Sequence, residues 1–258
     1  MLSIKTQKQQ TIINLISAIM AMAINLAVNF FLSPYIVDTL GEAANGFTQL
    51  ANNFVTYGSL ITIAFNSMAA RFMYVNYHQG KKDEVQKYYS SVLLCNLVLC
   101  IILIPVSVYI VENLNNLITI DNADVENVKI LFACVFLNFF LNLFLSVLGV
   151  SMYITNTIYI QNIISFLRNV LNAILILCAF RIFPARVYFV SLIAVILTII
   201  CIPITSIFHK RLMPELKFKF KYFDFNAIKT MLKSGLWNTI NQCGNMLTEP
   251  KEKKKETS

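Results

Sequence analysis

Charge is what this chain has least of. Asp, Glu, Lys and Arg make up 13% of its 258 residues, where soluble domains carry about 25%. Hydrophobic residues reach 57%, which excludes a water-soluble domain with an ordinary charged surface. The phosphate-cradling signature G-x-x-x-x-G-K-[ST] is missing, and with it ATP hydrolysis by that route. H-E-x-x-H is missing too, and the two histidines, His78 and His209, stand apart from any carboxylate cluster. No apolar stretch carries a pair of Asp or Glu, so an intramembrane protease or a carboxylate proton relay lacks its residues. No C-x-x-C occurs. Cys95, Cys100, Cys134, Cys178, Cys201 and Cys243 all lie inside apolar stretches, as small hydrophobes rather than a disulfide or metal framework. The expectation is a protein that is not an enzyme and holds no metal or cofactor.

What the chain does have is apolar length. From Ile12 to Val37 there is no charged residue, which exceeds the roughly 20 residues needed to span a bilayer core. The run continues well past Ala23, the end of a loose cleavage-like site, and is too long for a signal-peptide core. Five further stretches are expected to cross: Ala43–Met73, Tyr89–Val111, Val128–Met152, Thr157–Phe180 and Val187–Phe208. A seventh begins at Met231 and stops at Leu247. The fold class is therefore an all-α membrane protein, six transmembrane helices plus a short seventh stretch. The expected divisions are a six-helix unit over 1–209, a basic and aromatic cytoplasmic linker over 210–229, the seventh stretch over 230–247, and a charged disordered tail over 248–258.

Net charge is +8, but the cations sit between apolar stretches, where they orient a chain rather than bind nucleic acid. Lys5 and Lys8 precede the first stretch; Arg71, Lys81, Lys82 and Lys87 follow the second; seven more cations from Lys210 to Lys233 follow the sixth. Asp38, Glu42, Glu112, Asp121, Asp124 and Glu126 occupy the alternate loops, opposed by Lys129, Arg181 and Arg186. The positive-inside rule then puts the N-terminus in the cytoplasm of a multi-pass protein. Within the linker, LKFKFKYFDF alternates Lys with aromatic residues. That pattern suits a short strand, an interfacial ribbon or a plain connector with aromatic anchors.

Amides recur inside the apolar stretches. Asn25 and Asn29 join Asn14 and Ser33 in the first; Asn52 and Asn66 lie in the second; Asn138 and Asn142 in the fourth; Asn162, Asn169 and Asn172 in the fifth. An amide facing hydrocarbon costs several kcal/mol without a partner. Two readings stay open, hydrogen bonds between helices or a shared wet cavity lined by neutral polar groups. Arg168 is the sharpest residue. It lies about 11 residues, or roughly 16 Å, into the fifth stretch, where a cation costs from about 2.5 to over 10 kcal/mol. No Asp or Glu lies at matching depth, so three readings stay open: contact with an anionic substrate or a wet cavity, a structural bond to amides or helix carbonyls, or a stretch whose boundary lies elsewhere.

Three segments carry a family resemblance: TLGEAANGFTQLANNF, MAARFMYVNYHQGKKDEVQKYYSS and KSGLWNTINQCGNML. With them the chain resembles the polysaccharide-transport branch of the multidrug/oligosaccharidyl-lipid/polysaccharide exporter superfamily, the O-antigen and lipid-linked oligosaccharide flippases. The resemblance implies a bacterial inner-membrane carrier with two six-helix lobes around a central cavity, moving an undecaprenyl-diphosphate-linked glycan by alternating access. It implies bilayer lipids and polysaccharide-synthesis enzymes as neighbours, and it gives Arg168 a diphosphate to meet. It makes the unit over 1–209 a six-helix transmembrane lobe and the stretch over 230–247 a truncated seventh helix that starts a second lobe. It further implies an ion gradient, not ATP, as the energy source, and that this chain holds the first lobe and only the start of the second, an incomplete half whose cavity a dimer of two such halves could restore. The other readings are a multidrug or cation antiporter of the same superfamily, a non-transporting scaffold, and a transferase using the loop carboxylates Asp121, Asp124 and Glu126.

Overall fold

The computed structural model describes residues 7–118, 120 and 125–234. Their backbone is helical almost throughout, the state in which each N–H and C=O is satisfied inside its own segment when no water is at hand. Seven α-helices follow in order: α1 Gln7–Leu40, α2 Glu42–His78, α3 Lys82–Glu112, the single turn α4 Leu114–Leu117, α5 Val125–Ile154, α6 Ile158–Ile182 and α7 Tyr188–Leu212. Residues 225–234 are also helical, and there is no strand among the described residues. Among the described residues five helices, α1, α3, α5, α6 and α7, are long and apolar enough to cross a membrane. Six stretches were expected. The remaining one coincides with α2, whose first half carries Asn45, Thr48, Gln49, Asn52 and Asn53. The seventh expected stretch, Met231–Leu247, lies mostly outside the described residues, as do Asp121 and Asp124.

Helix ends follow local chemistry. Gly41 (φ 87°) closes α1 by donating its N–H to Val37 O at 2.8 Å. Gly80 (φ 76°) closes α2, its N–H on Tyr77 O at 3.0 Å and that of Lys81 on Asn76 O at 2.9 Å. Asn156 (φ 56°) closes α5 in the same way, its N–H on Tyr153 O at 3.1 Å and that of Thr157 on Met152 O at 2.8 Å. These are the left-handed caps that glycine, and after it asparagine, take up most readily.

The chain divides into two compact units. The first comprises Met1–Tyr57 and Leu97–Glu215. Its centre is α5, which packs most extensively on α7, while α1 packs on α6. Leu131, Phe132, Val135 and Phe136 of α5 meet Ala51 of α2, Leu114 of α4 and Val187 in one buried cluster. Ile176 of α6 meets Ile193 and Leu197 of α7 in another. By contrast α1 exposes Leu15, Ile19, Met22, Leu26 and Phe30 along one face, a stripe that hydrocarbon solvates without penalty. The second unit comprises Gly58–Asn96 and Leu216–Ser258. There the Phe72 and Tyr88 rings stack at 5.3 Å, and Asn96 Nδ2 donates to Asn66 Oδ1 at 3.3 Å.

Candidate functional site

Three helices of the first unit bring polar side chains together at the depth of Arg168. The guanidinium, ten residues past the start of α6, donates from Nη1 to Asn142 Oδ1 of α5 at 3.3 Å. Asn142 Nδ2 in turn donates to the carbonyl oxygen of Asn138 at 2.7 Å and to its side-chain Oδ1 at 3.2 Å. The Thr198 hydroxyl of α7 lies 2.7 Å from the same Asn138 Oδ1 and 2.9 Å from Ala194 O, one proton serving both. The i, i+4 spacing of Asn138 and Asn142 puts both amides on one face of α5. The result is a chain of dipoles running from α7 through α5 to the cation on α6.

Arg168 is half-buried, and Asn142 is its hydrogen-bond partner among the described residues. A guanidinium carries five N–H donors, so four remain for water or an anion. The charge has no carboxylate nearby in sequence on these helices, because α6 and α7 hold none and α5 holds Glu126 alone, at its first turn. One turn beyond Arg168 on α6, Asn172 Oδ1 is buried without a hydrogen-bond partner. The arrangement suits a polyanion with acceptor oxygens.

The remaining expected residues fall elsewhere. Asn162 Nδ2 donates to Ser17 Oγ of α1 at 2.9 Å, beside a second polar knot. In that knot Asn14 Nδ2 reaches Asn156 O at 2.9 Å and Asn156 Oδ1 at 2.8 Å, while Asn14 Oδ1 accepts the Tyr159 N–H at 2.9 Å. Asn14 thus caps α6 from another helix, which is the interhelical role that the first of the two readings gives such amides. Asn25 and Asn29 bond to each other at 3.0 Å on an exposed part of α1, Asn52 is exposed on α2 and Asn169 is half-buried on α6. Asn66 belongs to the second unit. Thr198 and Asn156 were not among the expected site residues. Thr198 had a signal, its place in a hydroxyl series with Ser191 and Thr205; Asn156 had none beyond its position in a turn.

No protein-family model and no solved structure matches the chain. It is similar to a curated protein of Bacillus subtilis (strain 168) named "Uncharacterized membrane protein EpsK", with 28% identity over 238 residues. The match takes in 91% of this chain and 46% of that protein, so the chain spans about half the length of the relative. The chain is accordingly a multi-pass α-helical membrane protein, similar along nearly its whole length to another membrane protein.

Proposed function

We propose that this chain is the N-terminal half of a carrier that moves a lipid-linked oligosaccharide across the bacterial inner membrane by alternating access, with its N-terminus in the cytoplasm. The observation that carries the reading is Arg168, held at mid-helix by Asn142 with most of its donors uncommitted. A diphosphate linking lipid to glycan supplies the acceptor oxygens and the compensating charge that α5, α6 and α7 do not. The resemblance of the Thr39–Phe54, Met68–Ser91 and Lys233–Leu247 segments to polysaccharide exporters supports the substrate class. So do Asn25 and Asn29, exposed on α1 and bonded to each other at 3.0 Å, whose remaining donors and acceptors suit water or a sugar hydroxyl. A multidrug antiporter would need a carboxylate within these helices, and α5, α6 and α7 have none past Glu126.

The test is export of surface glycan by a strain carrying Arg168→Ala in its own copy of the gene, beside Arg168→Lys. The expected result is a loss of at least tenfold for Ala at unchanged membrane abundance, with Lys retaining part of the activity. Undiminished export by the Ala variant would overturn the reading.

A further inference from the structure

The connector between α7 and the helical residues 225–234 is fixed at its backbone and open at its side chains. Gln86 of α3 accepts the Lys217 N–H on Oε1 at 3.3 Å, and its Nε2 donates to Lys217 O and, at 3.0 Å, to Ser90 Oγ. Ser90 Oγ accepts the Lys219 N–H at 3.4 Å. Ser91 Oγ accepts the Asp224 N–H at 3.0 Å and donates to Asp224 O at 3.3 Å. All three side chains are buried, with Ser90 and Ser91 at 0% exposure. Asp224 Oδ1 then caps the next helix through the Asn226 N–H at 2.8 Å. At the two ends Leu216, Ala227, Ile228 and Met231 are buried.

A segment pinned along one edge turns its side chains outward. Lys217, Lys219 and Lys221 are exposed. So are Phe218, Phe220, Phe223 and Phe225, the second and last of them at 69% and 68%. Four bare phenyl rings in one short ribbon would be a poor surface for water. Rings interleaved with lysines suit the boundary of a bilayer, where the rings enter the glycerol region and the ammonium groups meet phosphate. The surrounding unit adds to the field: among its described residues nine lysines and arginines stand against Asp83, Glu84 and Asp224, and Glu84 is already paired with Lys87 at 2.6 Å.

We infer that residues 216–225 form a preformed binding site for the headgroups of anionic phospholipids, with Lys217, Lys219 and Lys221 on the phosphates and Phe218, Phe220, Phe223 and Phe225 as the anchors. The site binds bulk lipid of the leaflet it touches, and it holds whether or not the chain carries a glycan. Its rigidity separates it from an ordinary basic loop, because the backbone is ordered before lipid arrives and less entropy is lost on binding.

The full chain is placed in nanodiscs containing a photoactivatable phosphatidylglycerol or the matching phosphatidylcholine, and the labelled peptides are mapped. Each headgroup-facing lysine contributes a factor of about five. Labelling of 216–225 by phosphatidylglycerol is therefore expected to exceed that by phosphatidylcholine at least tenfold. In the K217Q/K219Q/K221Q variant it falls to the phosphatidylcholine level. The F218S/F220S variant loses labelling by both lipids. Equal labelling of the wild-type ribbon by the two lipids would overturn the inference, as would selectivity unchanged in the lysine variant or labelling unchanged in the phenylalanine variant. Displacement of the label by millimolar inorganic phosphate at constant ionic strength would overturn it as well, by showing a site for soluble anions. All five substituted side chains are exposed, so the fold tolerates the changes, and an unaltered circular-dichroism spectrum checks it.

Discussion

A single residue type does two jobs in the first unit, and neighbours decide which. Asn14 and Asn142 are both amides in apolar helices. Asn14 spends both ends of its side chain on backbone groups and on Asn156, so its work is finished within the fold. Asn142 gives one oxygen to a guanidinium that keeps most of its donors. Replacing Asn14 by Ala leaves the Tyr159 N–H without its cap and loosens the α5–α6 turn. Interhelical bonds in membranes average about 0.6 kcal/mol and a lost helix cap about 1 kcal/mol. The expected loss is therefore about 1–2 kcal/mol, seen as a drop of a few degrees in the melting temperature of the detergent-solubilised chain. An Asn14→Ala protein that melts with the wild type would show that the knot contributes nothing. The sequence announces that amides at 14, 138, 142 and 162 need partners, since hydrocarbon supplies none. It does not say which pair, because Asn14 and Asn156 are 142 positions apart and meet only through the packing of α1 on α6.

Elements were easier to see than their ends. Bilayer thickness imposes a minimum apolar length, and each of the first six expected stretches falls within several residues of a helix. What hydropathy does not mark is helix outside the apolar core. Lys82 to Tyr88 of α3 and Tyr74 to His78 of α2 are polar or aromatic turns, yet they are helical. Their stops are marked instead by Gly80, whose φ of 76° costs other residues about 1 kcal/mol or more. Gly80→Ala should lower stability by about that amount, although a Cβ there would meet nothing within 4 Å. Gly46 makes the contrast. It is helical in α2, with ordinary φ and equally open surroundings, so Gly46→Ala should be neutral or stabilising by up to about 1 kcal/mol. Chemical denaturation of the two variants side by side checks both signs; equal effects would mean that backbone conformation at Gly80 is not limiting. The linker shows the other limit. Its Lys–aromatic alternation is visible in the sequence, but the Gln86, Ser90 and Ser91 contacts that hold it as a ribbon span about 130 positions and leave no periodic trace.

At the scale of the molecule, the first unit has two distinguishable ends. The Asn14–Asn156 bonds put the start of α1 beside the α5–α6 turn. At the opposite end a hollow of about 230 Å³ is lined by Thr39 of the α1–α2 region, Asn127 of α5 and Arg186 of the α6–α7 turn. One of the three cations on the acidic end is accounted for locally, since Lys129 Nζ donates to Glu112 O at the C-terminus of α3 at 3.1 Å, where a cation is favoured by the helix dipole. If the Asn14 end faces the cytoplasm, a membrane-impermeant maleimide added to intact cells should label cysteines introduced at Thr39 and Pro184 in a background without the six native cysteines. Cysteines introduced at Lys8 and Lys210 should react only after the cells are opened. Both pairs are exposed, so protection reports on sidedness rather than on burial. The reverse pattern would invert the first unit in the membrane. Labelling of both pairs in intact cells would mean two orientations coexist, and the loop charges would then be too weak to set one.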